Sequence, residues 1–239
     1  MLRNAILNFN GISRTTLKFI ACITMLIDHM CMVLIQTHSG YLVRITVGRI
    51  AFPVFAFLLV EGFFHTRSKR RYALSILVLA LVSEVFFDLA KYGEVFTLKG
   101  QNTCFTLLLG LLMLICISKV PYGIGVGGFL VDFKLISLFA QLAIAAAFAA
   151  AAYYLRTDYR YWGIAVMAAF YFARGFGRPF ASVLACAILA YNNPGALLAL
   201  IPLLLYNDTR GIIPPAGKYL FYAFFPVHFA VLVLIRYLI

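Results

Sequence analysis

Ionisable side chains interrupt the apolar stretches in the first third of this sequence. Asp28 and His29 lie in the middle of the first long apolar stretch. Arg49 lies near the start of the second stretch, and Glu61 and His65 lie at its end. A charged side chain inside a bilayer costs roughly 2.5–3.5 kcal/mol on insertion scales, so such residues usually face a cavity and carry function. The functional centre is therefore predicted in the first ninety residues or so.

Acyl transfer is a chemistry that suits these side chains. A buried imidazole, whose charged form is disfavoured, is a suitable base for an amine or hydroxyl acceptor. His29 is the candidate base or transient acyl carrier, with Asp28 and Glu61 as electrostatic partners. Arg49 is the candidate stabiliser of the developing oxyanion. The structural alternatives are an interhelical hydrogen bond for His29 and an ion pair between Arg49 and Glu84 or Glu61.

Other ionisable residues of the apolar stretches favour structural roles. Glu84 and Asp88 are four residues apart, which is unfavourable for like charges unless a cation such as Arg49 or Lys91 lies between them. A structural ion pair is the preferred interpretation there. For His228, a buried imidazole beside a helix kink and a ligand of the site remain equal alternatives.

A cluster of basic residues follows the second apolar stretch, and it consists of His65, Arg67, Lys69, Arg70 and Arg71. Membrane topology alone accounts for a basic loop here. Arginine also pairs with phosphate, so the loop is equally a candidate site for the 3′-phosphate and diphosphate of coenzyme A. Lys18 lies on the same helix face as His29, eleven residues and about 16 Å away. The two faces, one with Lys18 and His29 and one with Glu61 and His65, are predicted to line a single cavity.

The amino-acid composition indicates the kind of structure that contains these residues. Of 239 residues, 64% are hydrophobic and 12% are charged, and the mean hydropathy is +0.97. Such a chain cannot coat a soluble globule, and at ~20 residues per crossing it has room for about eight to ten transmembrane helices. Continuous apolar stretches disfavour a membrane β-barrel. The predicted fold class is all-α, a polytopic helical bundle that forms one integral membrane domain over residues 1–239.

Nine apolar segments are predicted as helices. They cover residues 17–38, 46–64, 72–90, 103–118, 135–155, 161–173, 180–191, 195–206 and 219–238. The segments 180–191 and 195–206 are short and are separated by Asn192, Asn193 and Pro194, so they form either one broken crossing or two. The glycine-rich stretch 121–128 follows a helix, which favours a flexible loop over a dinucleotide fingerprint.

The net charge of +12 reports membrane topology rather than nucleic-acid binding. Most Lys and Arg residues fall in segments that share one side of the membrane, and the positive-inside rule makes that side, with the N-terminus, cytoplasmic. The five cysteines lie within apolar stretches without metal-ligand or disulfide spacing, so no metal site is expected.

Three stretches resemble the TraX family of bacterial inner-membrane proteins. They are residues 18–29, 48–67 and 83–88, and residues 218–228 resemble the closing motif of that family. The resemblance implies acetylation of a conjugative pilin N-terminus or a role in fimbrial assembly. It also implies membership of a superfamily of transmembrane acyltransferases, whose members O-acetylate surface polysaccharides or N-acetylate glucosaminides. Those relatives carry an Arg and a His with ten residues between them, matched here by Lys18 and His29, and an Arg-x-x-Arg motif, matched by Arg67 and Arg70.

Together these observations predict an enzyme of the inner membrane that transfers acetyl from cytoplasmic acetyl-CoA to an acceptor such as a pilin N-terminus or a surface glycan. The predicted coenzyme residues are Lys18, His65, Arg67, Lys69, Arg70 and Arg71. Membrane lipid is the expected surrounding, and dimerisation is left open. The alternatives are an ion-coupled secondary transporter, for which buried carboxylates are also typical, and a non-catalytic pilus or fimbrial assembly factor.

Overall fold

A computed structural model describes residues 10–121, 123–126, 129–212 and 217–239. The helices are α1 (Arg14–Val33), α2 (His38–Thr46), α3 (Ala51–His65), α4 (Lys69–Tyr92), α5 (Thr103–Ile117), α6 (Lys134–Tyr154), α7 (Arg160–Phe172), α8 (Arg178–Ala190), α9 (Leu200–Leu204) and α10 (Gly217–Leu238). Three 3₁₀ segments, Val47–Ile50, Ala173–Phe176 and Pro194–Ala199, join or extend them. The predicted all-α fold class is confirmed, and each predicted apolar segment coincides with a helical segment.

Helix length and composition make this a membrane protein. Within the described residues, five helical stretches are long and apolar enough to cross a membrane, namely Arg14–Val33, His38–His65, Lys69–Tyr92, Lys134–Tyr154 and Tyr219–Leu238. Shorter apolar helical stretches cover Thr103–Ile117, Arg178–Ala190 and Pro194–Leu204. The surface of α6 exposes large apolar side chains such as Leu135 and Phe139, which suits contact with lipid rather than water.

The region from Arg178 to Asp208 leaves one end of the bundle and returns to it. Arg178 donates to the Asp208 carboxylate at 2.5 Å, which joins the start and the end of this region. Halfway along, Gly195 lies so close to the backbone of Ile45 and Thr46 that a Cβ atom would collide with it. The close approach requires glycine, and it places the midpoint of the region at the other end of the bundle. Residues 178–208 therefore form two antiparallel segments, as the alternative of two short crossings requires, rather than one broken segment.

Helix α3 lies at the centre of the bundle because almost all of its residues are apolar. Val54 and Ala56 are fully buried, and Phe52, Phe57 and Phe63 are nearly so. Helices α1, α5, α7 and α8 pack around it. The central position of α3 fixes the 3₁₀ segment before it and the basic loop after it at opposite ends of the bundle.

Part of the glycine-rich stretch after α5 forms a β-strand that pairs with a second strand. Strands β1 (Gly123–Val126) and β2 (Phe129–Asp132) form an antiparallel hairpin in which Gly123 is opposite Asp132. Both strands contain residue types that favour strand structure, namely Ile124, Val126, Phe129 and Val131. This strand pairing was not predicted from the sequence.

Most basic residues of the described chain lie at one end of the bundle, which we call the basic end. At this end α1, α4 and α8 begin and α3, α5 and α7 end. Its cations are Arg14, Lys18, Arg67, Lys69, Arg70, Arg71, Lys119, Arg174, Arg178 and Arg210. Cross-links such as the Lys69 to Ser118 hydrogen bond at 3.2 Å tie its segments together.

Candidate functional site

A cavity of about 580 Å³ runs from the basic end into the bundle. Helices α1, α3, α4, α5 and α10 contribute its walls. The lining at the basic end includes Arg14, Lys18, His65 and Arg210, the middle is mainly apolar, and the inner end includes Met25, Thr103, Cys104 and Phe225. None of the described residues that line the cavity is acidic. Such a surface suits a ligand with an anionic head and an extended, less polar tail.

Three cations form the mouth of this cavity. Arg14 and Lys18 are one helical turn apart at the start of α1, where the Ser13 side chain caps the helix. Arg210 comes from the distant loop after α9, and its carbonyl accepts hydrogen bonds from the Thr15 hydroxyl at 2.8 Å and the Thr15 amide at 3.3 Å. The loop is thereby fastened to α1, so the three cations converge.

The basic loop lies beside this cavity rather than in it. Arg67, Arg70 and Arg71 are exposed, and none of them lines the cavity. The Lys69 ammonium donates to Ser118 and lies 4.1 Å from the centroid of the Phe63 ring. The loop side of the lining consists of His65 and Thr66.

The predicted coenzyme residues therefore divide into two sets. Lys18 and His65 line the cavity, whereas the four cations of residues 67–71 do not. The sequence prediction missed Arg14 and Arg210. Helical spacing from Lys18 indicates Arg14, but no local pattern marks Arg210, because it reaches the mouth through tertiary contacts.

His29 lies inside the bundle, about one helical turn beyond the inner end of the cavity. His29 is 7% exposed, and its Nδ1 atom is 2.7 Å from Nε2 of His228 in α10. The two rings are stacked with centroids 5.0 Å apart. Phe225 and Phe229 complete the pocket, with ring centroids 6.4 Å and 4.2 Å from that of His29. His29 thus faces α10 rather than lipid, although it does not itself line the cavity.

Two arginine side chains lie close to the Asp28 carboxylate, which is itself next to His29. Its Oδ1 atom is 3.5 Å from Nη2 of Arg49 and 3.6 Å from Nε of Arg44, and its Oδ2 atom is 3.8 Å from Nε2 of His29. Gly48 in the 3₁₀ segment packs directly against this carboxylate, so a Cβ atom at that position would collide with it. The structure therefore brings together Asp28, His29 and Arg49, as the sequence predicted, and adds Arg44.

A polar layer extends from Arg49 to α5 at the end opposite the basic end. The Arg49 guanidinium interacts electrostatically with the Tyr159 hydroxyl. The neighbouring Asp158 carboxylate accepts from Lys91 at 3.3 Å and from the hydroxyl of Thr103 at 2.9 Å. Because Thr103 also lines the inner end of the cavity, this layer and the cavity adjoin. Tyr159 and Asp158 lie far from Arg49 in sequence, and sequence reasoning did not find them.

Residues 13–236 match the TraX protein family. The chain belongs to the TraX family. It is also 29% identical to a protein of Dichelobacter nodosus that is named probable fimbrial assembly protein FimC, serogroup H1, over 246 aligned residues. That alignment covers 90% of this chain and 92% of the relative. No solved structure matches the chain.

Glu61 of this TraX-family chain does not accompany His29. It lies twelve residues after Arg49, about 18 Å along the helical axis, near the basic end. Its Oε1 atom accepts from Arg174 at 2.5 Å, and its Oε2 atom is 3.8 Å from Nδ1 of His65. The prediction of Glu61 as a partner of His29 was wrong, and so was an ion pair with Arg49. Helical spacing assigns residues to a face of one helix but does not say which neighbour that face meets.

In this TraX-family chain, the Glu84 and Asp88 carboxylates of α4 accept hydrogen bonds from backbone and side-chain amides rather than from cations. Glu84 Oε2 accepts from the Asn102 amide nitrogens, at 3.0 Å from the backbone and 2.6 Å from the side chain. Asp88 Oδ2 accepts from the Thr97 backbone at 2.8 Å. Neither carboxylate forms an ion pair with a cation within the described residues, so the structural ion pair preferred from the sequence was wrong. Within the described residues, no group of three His, Cys, Asp or Glu side chains is placed to hold a metal ion.

Proposed function

We propose that this protein is a membrane-embedded acyltransferase that takes an acetyl group from acetyl-CoA at the basic end. The observation that carries the proposal is the cavity, which joins three converging cations to an inner end next to His29. The acceptor is a group such as a pilin N-terminus or a surface glycan. The whole described chain then serves as one integral membrane domain.

The cavity mouth suits the phosphates of the coenzyme. Arg14, Lys18 and Arg210 supply three positive charges without a competing carboxylate among the described lining residues. Arginine pairs with phosphate through parallel hydrogen bonds, and lysine adds a point charge. The pantetheine arm extends along the apolar middle of the cavity, which directs the thioester towards Met25 and Phe225.

The chemistry at the inner end is a simple acyl exchange. His29 removes the proton from the acceptor amine or hydroxyl as the acceptor attacks the thioester carbonyl carbon. The carbon–sulfur bond breaks, the coenzyme leaves as a thiolate, and the proton passes from His29 to that sulfur. Arg49 and Arg44 provide positive charge next to Asp28, on the side where the oxyanion develops.

The distribution of charge supports a cytoplasmic position for the basic end. The positive-inside rule places Lys-rich and Arg-rich loops on that side, where acetyl-CoA is synthesised. We therefore assign the chain to the bacterial inner membrane with the N-terminus in the cytoplasm and with lipid against the apolar surface of α6.

A second candidate function is that of a non-catalytic factor in fimbrial assembly. The name of the Dichelobacter nodosus relative favours it. A purely structural factor has no need of a cavity that fits a coenzyme, so coenzyme binding separates the two functions.

The test is a calorimetric titration of the purified protein in detergent with coenzyme A and with its 3′-dephospho form. We expect saturable binding that weakens at high salt and weakens further without the 3′-phosphate. Transfer from radiolabelled acetyl-CoA to short peptides and to glucosamine oligomers then identifies the acceptor class. Absence of coenzyme A binding by a protein that melts cooperatively would overturn the enzyme proposal.

A further inference from the structure

The environment of His228 in α10 fixes which of its ring nitrogens carries a proton. His228 is 5% exposed, and its Nδ1 atom is 2.8 Å from the backbone carbonyl oxygen of Phe224, one helical turn earlier. A carbonyl oxygen only accepts hydrogen bonds, so Nδ1 must be the donor. The Phe224 ring stacks on the imidazole with centroids 5.1 Å apart, which holds the ring in this orientation.

The proton on Nδ1 determines the role of the other nitrogen. A charged imidazolium packed among aromatic rings would be costly, so His228 is neutral and its Nε2 atom is an acceptor. The atom 2.7 Å from this Nε2 is Nδ1 of His29. That contact needs one proton, and His29 has to supply it from Nδ1.

Nε2 of His29 therefore carries no proton. A neutral imidazole carries one proton, and here the proton is committed to the contact with His228. The free Nε2 lone pair lies 3.8 Å from Oδ2 of Asp28, which is itself an acceptor. The N–H or O–H group of an incoming acceptor molecule could donate to either of these two atoms.

We propose that His228 is a positioning residue that holds His29 in the tautomer with Nδ1 protonated and Nε2 free, so that Nε2 is the reactive nitrogen. The role of His29 in transfer rests on the proposed function, but the tautomer does not. Without His228, a proton on Nε2 of His29 would be favoured, because the N–H group would face the negative charge of the Asp28 carboxylate, 3.8 Å away. That tautomer would block the base.

The first test reads the tautomer directly and needs no substrate. The chain has four histidines, so uniform ¹⁵N and ¹³C labelling of histidine gives a spectrum that single substitutions of the other three can assign. We expect His29 and His228 both to be protonated on Nδ1, and we expect His29 to shift to the Nε2-protonated form in His228→Phe. A proton on Nε2 of His29 in the wild type, or an unchanged tautomer in the variant, would overturn the proposal.

The second test compares two substitutions of His228 in the transfer assay. His228→Phe keeps the ring shape and removes both nitrogens, whereas His228→Gln offers an amide oxygen near the position of Nε2 that can accept from His29. We expect the Phe variant to lose on the order of 10²-fold or more in kcat with a KM for acetyl-CoA within a few-fold of wild type, and we expect the Gln variant to recover much of the loss.

The outcomes separate the two proposals. The correct tautomer in a protein that transfers no acetyl group would contradict the proposed function alone. Equal losses in the Phe and Gln variants, with intact thermal transitions in detergent, would contradict the positioning role.

Discussion

The charges around Asp28 show how a carboxylate can lie inside this bundle. Burying an ion costs several kcal/mol unless partners compensate it. Arg49 and Arg44 approach the same oxygen at 3.5 Å and 3.6 Å, so the carboxylate is held by charge rather than by close hydrogen bonds. The Asp28 Oδ1, Arg49 Nε and Arg44 Nε atoms all lack hydrogen-bond partners within the described residues. These atoms could therefore form hydrogen bonds with a ligand that reacts next to His29.

Replacement of His29 separates binding from chemistry. In His29→Ala we expect transfer to fall by about 10²-fold or more, the usual scale for the loss of a general base. Coenzyme A affinity should stay within a few-fold of wild type, because Lys18 at the cavity mouth is about 16 Å away along α1. Steady-state transfer and calorimetric titration measure the two quantities. His38→Ala, at an exposed position, is the matched control. If the His29 variant kept most of its transfer rate, the base assignment would fail.

Removing cations from the cavity mouth and removing cations from the basic loop should affect coenzyme A affinity differently. Arg14→Ala together with Lys18→Ala should weaken coenzyme A binding by about 1.5–3 kcal/mol for each charge-assisted hydrogen bond lost. Arg67→Ala together with Arg70→Ala removes the same amount of charge from exposed positions outside the cavity, so it should change affinity little. Titration at low and high salt measures both. A larger effect of the loop pair would return the phosphate site to the loop.

The 3₁₀ segment Val47–Ile50 is the element that positions Arg49, and Gly48 allows it to approach α1. In Gly48→Ala the new methyl group would meet the Asp28 carboxylate. We expect a loss of stability of about 1–3 kcal/mol, typical of overpacking, together with a large loss of transfer. Gly175→Ala in the 3₁₀ segment Ala173–Phe176 is the matched control, because a methyl group there would meet no neighbouring heavy atom within 4 Å. Melting in detergent measures stability, and equal melting temperatures for the two variants would contradict the close approach.

The sequence predicted most of the helices, but it did not predict which helices contact one another. Membrane helices need long apolar stretches, so the apolar pattern located all of them except α2 (His38–Thr46), which lies between two predicted segments. The partner of Glu61 depends instead on which helix packs beside α3, and Arg174 is 113 residues away in sequence. Arg210 reaches the cavity in the same way, through a loop fastened to Thr15. Such contacts are tertiary, and a single sequence contains no local signal for them.

Three adjoining regions along α1 link the basic end of the bundle to the opposite end. The cations at the basic end, the apolar cavity and the polar layer around Asp28 follow one another along α1. An acyl group that enters with its coenzyme at the basic end would therefore reach His29 close to the opposite side. In the proposed reaction, donor and acceptor would then approach from different sides of the membrane, and the orientation of the chain would be part of the mechanism.

Topology is the corresponding test for the whole molecule. Because residues 178–208 leave the basic end and return to it, α10 begins at the basic end and Ile239 lies at the opposite end. We expect reporter fusions after Lys119 to be cytoplasmic and fusions after Asp158 or Ile239 to be periplasmic. Alkaline phosphatase and a fluorescent protein, active on opposite sides of the membrane, measure this in pairs. A cytoplasmic reporter after Ile239 would mean that 178–208 crosses once, and it would place His228 in an inverted helix that could not present its ring to His29.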